Sequence, residues 1–295
     1  MPEFENVGIV GLGLLGGSLG LAIKKRKVAG KVLGWTRTAE TIIKAEKSGI
    51  IDKGFTSFQE IVKDANFLIL CAPVFSNNKY VEDVVHLKPG LLFTDIGSTK
   101  ATIVQHVDAC FSNPHNFVGS HPIAGSEKKG IDFADADMFN DKTIVLTPGE
   151  KSSPSSFRHI EKFWKSLGGK TIVMDAGRHD ELLAYTSHLP HSIIFALCRG
   201  LKREIDKKGF FVSIGSGLRD TTRIAGSDAR VWTEIFIDNR DNVLSAIEGF
   251  KTEIDEFIHL LQEKDENLLE KYMEEAKNVR EIIEKNGQKR TTEKS

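Results

Sequence analysis

The chain has 295 residues, of which 40% are hydrophobic and 27% charged, and its formal net charge is −1 at pH 7. That length suits two domains of roughly 100–200 residues each, and the balance is that of a globular protein able to bury a core. A charge so near zero excludes the broad electrostatic footprint of a nucleic-acid or anionic-membrane binder, while leaving room for a local basic pocket.

Residues 7–10 read as a buried strand, and a helical pattern follows at 18–27. Between them stands Gly11-Leu12-Gly13-Leu14-Leu15-Gly16. A GxGxxG run placed after a strand, opening a helix, is the signature of a dinucleotide-binding turn. Gly11 allows the tight turn, Gly13 lets backbone approach a pyrophosphate, and Gly16 lets helix and strand pack closely. Leu14 and Leu15 belong to the same cofactor-binding turn, and the N-terminus of the helix it opens faces the phosphates with free N–H groups. A strand at 32–34 then runs into Thr36-Arg37-Thr38. An NAD enzyme usually carries a carboxylate here for the ribose 2′-hydroxyl. None is present, and Arg37 between the hydroxyls of Thr36 and Thr38 suits a 2′-phosphate. NADP is therefore expected in preference to NAD; the alternative is that Arg37 is a solvated surface charge.

A helix is expected at 39–48, a short strand at 54–55, a short helix at 58–62, and apolar strands at 67–71 and 91–95. The first of these strands ends in Cys71-Ala72-Pro73-Val74 and the second in Asp95-Ile96-Gly97-Ser98. Carboxyl ends of parallel strands face the cofactor crevice, so Ala72 and Pro73 are expected beside the dinucleotide. Plain strand-to-helix connection is the alternative for both turns. Strands at 117–120, 143–147 and 171–175 extend the series, with a helix at 157–167 ended by Gly168-Gly169. Strands alternating with helices imply parallel pairing, hence an α/β Rossmann-type doubly wound sheet. His121 sits in Gly119-Ser120-His121-Pro122, on what reads as a rigid turn after a strand. Its ordinary pKa suits a catalytic base; a structural histidine is the alternative.

After residue 175 the texture becomes helical. Residues 179–200 form a long apolar helix pattern in which Pro190 predicts a kink. His188 and His191 lie three apart on one face of it. Residues 215–225 set Arg219 and Arg223 beside a glycine-rich loop, as a carboxylate clamp or a solvated helix cap. Helical stripes at 231–239, 243–261 and 268–283 read as core and oligomer packing. The expected organisation is a dinucleotide-binding domain at 1–175, an all-α substrate and dimerisation domain at 176–285, and a disordered tail at 286–295.

Cys71, Cys110 and Cys198 are odd in number and widely spaced, which argues against a disulfide framework or a zinc site. No telling spacing of ligands predicts any other metal. No apolar run reaches the roughly 20 residues needed to span a bilayer, and no leader pattern precedes the first strand. A cytoplasmic protein is expected, with neither membrane nor nucleic acid as partner.

Six segments together resemble the prephenate and arogenate dehydrogenases: GLGLLGGSLG at 11–20, DIGSTK at 95–100, GSHPIAGSE at 119–127, SHLPH at 187–191, GLRDTTRIA at 217–225 and VWTEIF at 231–236. The resemblance runs in order through nearly the whole chain. It implies oxidation of a cyclohexadienol ring, with hydride passing to NAD(P) and the ring carboxylate leaving as CO2, in tyrosine biosynthesis. It also implies roles. His121 would draw the proton from the ring hydroxyl, and Ser98 would orient it. Arg223 would grip a substrate carboxylate, His191 would line the substrate pocket, and Glu127 and Trp232 would stand at its mouth. A homodimer through the helical domain is expected. Prephenate is the first expectation for substrate, with arogenate or dual specificity as alternatives. A β-hydroxyacid-type dehydrogenase would place a lysine on the first helix of the second domain, but none occurs between Arg178 and Arg199. A non-catalytic NADP sensor would have no use for His121, Ser98 and Arg223 together.

Overall fold

In the computed structural model, residues 2–124, 128–207 and 210–292 are described. The first half of the chain winds strand and helix alternately: β1 (Phe4–Val10), α1 (Leu14–Lys25), β2 (Ala29–Trp35), α2 (Ala39–Lys47), β3 (Lys53–Phe55), α3 (Phe58–Asp64), β4 (Phe67–Leu70), α4 (Val74–Leu87), β5 (Leu92–Asp95) and α5 (Ala101–Cys110). The five strands pair in parallel in the order β3-β2-β1-β4-β5. The winding therefore reverses beside β1, which opens a crevice at the carboxyl ends of β1 and β4. Both sheet faces are covered, so the strands are apolar on both sides. Along β4, Phe67 and Ile69 enter one core cluster while Leu68 and Leu70 enter the other. Gly16 shows why α1 can lie against β1: a Cβ there would meet the Gly11 carbonyl oxygen at 1.9 Å.

The later strands do not simply prolong this sheet. β6 (Gly119–Pro122), β7 (Thr143–Thr147) and β8 (Lys170–Val173) form a separate three-stranded sheet in which β6 and β7 run antiparallel. A single bridge between Phe93 and Phe117 links it to β5. His121 accordingly lies on a strand, paired with Val145, and not on the turn after one. Between β7 and β8, α6 (Pro154–Ser166) begins with proline in its first turn and the Ser153 hydroxyl accepting from the Ser156 N–H.

Helix α7 (Ala176–Leu183) is capped by Asp175 and runs through a π-helical turn, Ala184–His188, into α8 (Leu189–Leu201). The disturbance expected from Pro190 takes this form. Proline cannot donate to the preceding turn, and the chain widens just before it, with Leu189 N–H bonding to Ala184 O. There follow α9 (Ser216–Thr222), a 3₁₀ turn at Arg223–Gly226, α10 (Ala229–Asp238), α11 (Arg240–Glu263) and α12 (Glu266–Thr292).

The change from strands to helices at 175/176 is not a break in packing. α7 packs on α5 and β7, and α10 on α4, so Met1–Asn242 form one compact unit and Val243–Ser295 a second. Within the second unit, the rings of Phe257 and Tyr272 pack at a tilt of 42° with centroids 5.7 Å apart. Residues 286–292, expected as the start of a disordered tail, continue α12; no proline interrupts the helix there.

Candidate active site

The site is built around two buried carboxylates. Asp95, at the end of β5, forms an ion pair with the ammonium of Lys100, and both side chains are out of solvent. Its oxygens also accept from Gly97 N–H at 2.8 Å and Ser120 N–H at 3.3 Å. Asp180, on α7, accepts from the backbone N–H groups of Lys100 and Ala101, each at 2.8 Å. These are the first donors of α5, so the carboxylate stands where the helix dipole favours negative charge.

Asp180 Oδ1 lies 2.7 Å from His179 Nδ1, and His179 Nε2 lies 2.8 Å from His121 Nδ1. The carboxylate fixes the protons along this chain. His179 Nδ1–H donates to Asp180, its Nε2 accepts from His121 Nδ1–H, and among the described residues nothing bonds to the lone pair left on His121 Nε2. Burial holds the His121 pKa well below its ordinary value, and the nearby Lys100 ammonium pushes it the same way. The ring is therefore neutral at neutral pH, with its one proton on Nδ1. It loses its lone pair only as pH falls through that depressed value. Such a ring can accept a proton from a hydroxyl group.

His188 is buried and its Nδ1 faces Asn239 Nδ2 at 3.1 Å, which also donates to Asp180 O at 2.7 Å. Burial depresses the His188 pKa to about 4. His191 stacks face to face on Trp232, with centroids 3.6 Å apart and 21° between planes. Its pKa is likewise lowered by burial.

A cleft of about 630 Å³ opens beside this cluster, within the usual range for a ligand site. It is lined by Gly13, Leu14, Leu15 and Gly16 of the glycine turn, by Ala72, Pro73 and Ser98, and by His191, Arg223 and Trp232. The glycine rim fits a dinucleotide. A Cβ built on Gly13 meets nothing within 4 Å, so backbone is open to a phosphate, and no acidic side chain stands in the first turn of α1. Cys71 also borders the cleft; burial and then the charge of Asp95 raise its pKa well above the usual thiol value, so it is a neutral wall.

The remaining expected residues fall elsewhere. Gly11 makes the turn behind the rim with φ of 100°. Thr36, Arg37 and Thr38 follow β2 outside the cleft lining, and Arg37 and Thr38 are exposed. The Arg37 charge reaches the phenol of Tyr80 on α4. His121 does not itself line the cleft, although Ala124 on the same segment does. Glu127 lies outside the described residues. His179, Asp180, Lys100 and Asn239 were not singled out from sequence. The adjacent His-Asp pair in the first turn of α7 was the available signal, and it reads as ordinary helix-start polarity. Among the described residues, no group of three His, Cys, Asp or Glu side chains could hold a metal ion, and no helix is long and apolar enough to cross a membrane.

Two family models match the chain. "Prephenate dehydrogenase, nucleotide-binding domain" covers residues 19–173, and "Prephenate dehydrogenase, dimerization domain" covers residues 175–288. The chain is 35% identical over 283 residues to the prephenate dehydrogenase of Lactococcus lactis subsp. cremoris, covering 94% of this chain and 77% of that protein. It is 30% identical over 285 residues to the cyclohexadienyl dehydrogenase of Zymomonas mobilis, covering 95% and 96%. Among solved structures it is similar to prephenate dehydrogenase from A. aeolicus in complex with hydroxyphenyl propionate and NAD+, with TM-score 0.88 and 33% identity over 95% of this chain and 98% of that one.

Replacing Lys100 by Met should leave the Asp95 charge buried without its partner and destabilise the fold by about 3–5 kcal/mol in urea titration. A loss under about 1 kcal/mol would mean that the pair is not desolvated as described.

Proposed function

The chain belongs to the prephenate dehydrogenase family, and from that premise we propose that it oxidatively decarboxylates prephenate to 4-hydroxyphenylpyruvate in tyrosine biosynthesis. The nicotinamide of NAD(P), when bound, supplies the hydride acceptor. The observation that carries the proposal is the hydrogen-bonded chain from Asp180 through His179 to His121, which leaves Nε2 bare.

In this reading, His121 Nε2 takes the proton of the ring hydroxyl as the carbinol carbon gives up its hydride. Positive charge developing at that carbon is relieved by the O–H electron pair. The C–C bond to the ring carboxylate breaks, its electron pair closes the aromatic ring and drives the new carbonyl pair back onto oxygen, which recovers the proton from His121, and CO2 leaves. Loss of gas and gain of aromaticity make the step effectively irreversible. Ser98, at the end of β5 in the cleft lining, orients the hydroxyl. Arg223 holds a substrate carboxylate, as a guanidinium does with two parallel N–H groups. The His191–Trp232 stack gives the substrate ring a flat wall.

Gly11, Gly13, Leu14, Leu15 and Gly16 would hold the pyrophosphate, and Ala72 and Pro73 would border the cofactor. Thr36, Arg37 and Thr38 would receive a 2′-phosphate, which favours NADP over NAD. Residues 176–285 act as the substrate and dimerisation region. Their match to a dimerization domain and the exposed Ile254, Ile258, Leu261, Leu268 and Met273 favour a homodimer. Three cysteines without disulfide partners suit a reducing compartment, and the proposed location is the cytoplasm.

Mixed with prephenate and NADP or NAD, the protein should produce reduced cofactor, and His121→Asn should lower kcat about 10²–10⁴-fold, the range for loss of a general base. Folded protein that reduces neither cofactor with prephenate or with arogenate would contradict the proposal. Arg37→Asp should shift kcat/KM from NADP toward NAD; an unchanged ratio would remove Arg37 from cofactor choice.

A further inference from the structure

Glu234 on α10 is 7% exposed, yet it is one of the residues that line the cleft. Its Oε2 accepts the N–H of Phe75, in the first turn of α4, at 3.2 Å. Its Oε1 lies 3.7 Å from the Nε of Arg230, one turn earlier on α10, whose side chain is largely exposed. A carboxylate removed from water to this extent calls for a close positive or donating partner. The first turn of α4 and a distant, solvated guanidinium hold this carboxylate in place while it still borders the cleft. Asp228, the other carboxylate among the described lining residues, differs. It pairs with Lys129 at 3.2 Å and caps the Arg230 and Val231 N–H groups.

The position of Glu234 indicates what the partner is. A dinucleotide lying across this sheet has its pyrophosphate on the glycine rim beside β1 and its adenosine toward the end of β2, where Arg37 stands. The other half then runs toward the ends of β4 and β5. Glu234 is fastened to Phe75, just beyond the end of β4, and so belongs to the nicotinamide side.

We propose that Glu234 is a cofactor-binding carboxylate that acts on the nicotinamide half and favours the cationic oxidised ring over the neutral reduced one. The inference rests on the dinucleotide reading above. In a cleft of low effective dielectric a carboxylate interacts strongly with a ring of unit positive charge and weakly with the neutral dihydropyridine. The same charge that recruits the oxidised cofactor adds little to the hold on the reduced product.

Glu234→Gln keeps the side-chain length and an oxygen for the Phe75 N–H while removing the charge. Dissociation constants for oxidised and reduced NAD and NADP, titrated without substrate, give the readout, with a thermal melt alongside. The oxidised forms should bind about tenfold more weakly and the reduced forms should change less than about threefold. The melting temperature should stay the same. Equal shifts for both redox forms, no shift for either, or tighter binding of the oxidised form would overturn the proposal. Glu234→Leu should lose the same redox preference, and if only one variant folds, that one decides. Wild-type protein that binds neither redox form of either cofactor would instead contradict the cofactor reading itself.

Discussion

The carboxylate of Asp180 ties the two halves of the site together. One oxygen receives Ala101 N–H; the other receives Lys100 N–H and His179 Nδ1. The same group therefore caps α5 of the nucleotide-binding half and anchors an imidazole from the helical half. Charge at a helix N-terminus is favourable, so the cap also keeps the acceptor that His179 needs. Everything proposed for His121 follows from that placement, because His121 reaches Asp180 only through His179.

Around this anchor the protein keeps imidazole neutral by surrounding it with burial and positive charge. Lys100 contributes twice: its backbone N–H binds Asp180, and its ammonium is paired with Asp95 within influence of His121. Asp95 in turn receives the Ser120 N–H next to His121. Asn239 joins Asp180 O to His188 Nδ1, which presents a donor to the acceptor face of that ring. A base embedded in such a network is fixed in orientation and tautomer before substrate arrives, which is the condition for an effective proton transfer.

Much of the nucleotide half was legible because its signals are local. A strand, a GxGxxG turn and a helix follow within about 20 residues, and each glycine has a steric reason that a sequence states directly. The cleft accordingly gathers Gly13, Ala72, Ser98, His191, Arg223 and Trp232 from six separated motifs. Helices α4 and α5 were harder to see. α4 buries only Asn77, Val81 and Val84, and α5 only Ile103, Val104 and Val107, so neither carries a wide apolar stripe. The antiparallel turn of the chain into β6 also left no local mark, since alternation of burial is the same for either pairing direction. The His179–Asp180 pair was invisible for a different reason. Its role depends on meeting α5 and β6, and contacts between residues 58 and 79 or 80 positions apart have no signature in spacing. Texture marks where strands give way to helices, but it carries no sign that α7 and α10 pack on the sheet half.

The central claim is the proton arrangement on one ring. Long-range proton–nitrogen correlation spectra of protein carrying nitrogen-labelled histidine, near neutral pH, report it directly, with the His121 signals identified by their absence from a His121→Asn sample. The account predicts a neutral ring protonated on Nδ1, with Nε2 showing the shift of a bare acceptor nitrogen. A proton on Nε2, or a ring protonated on both nitrogens at that pH, would contradict it.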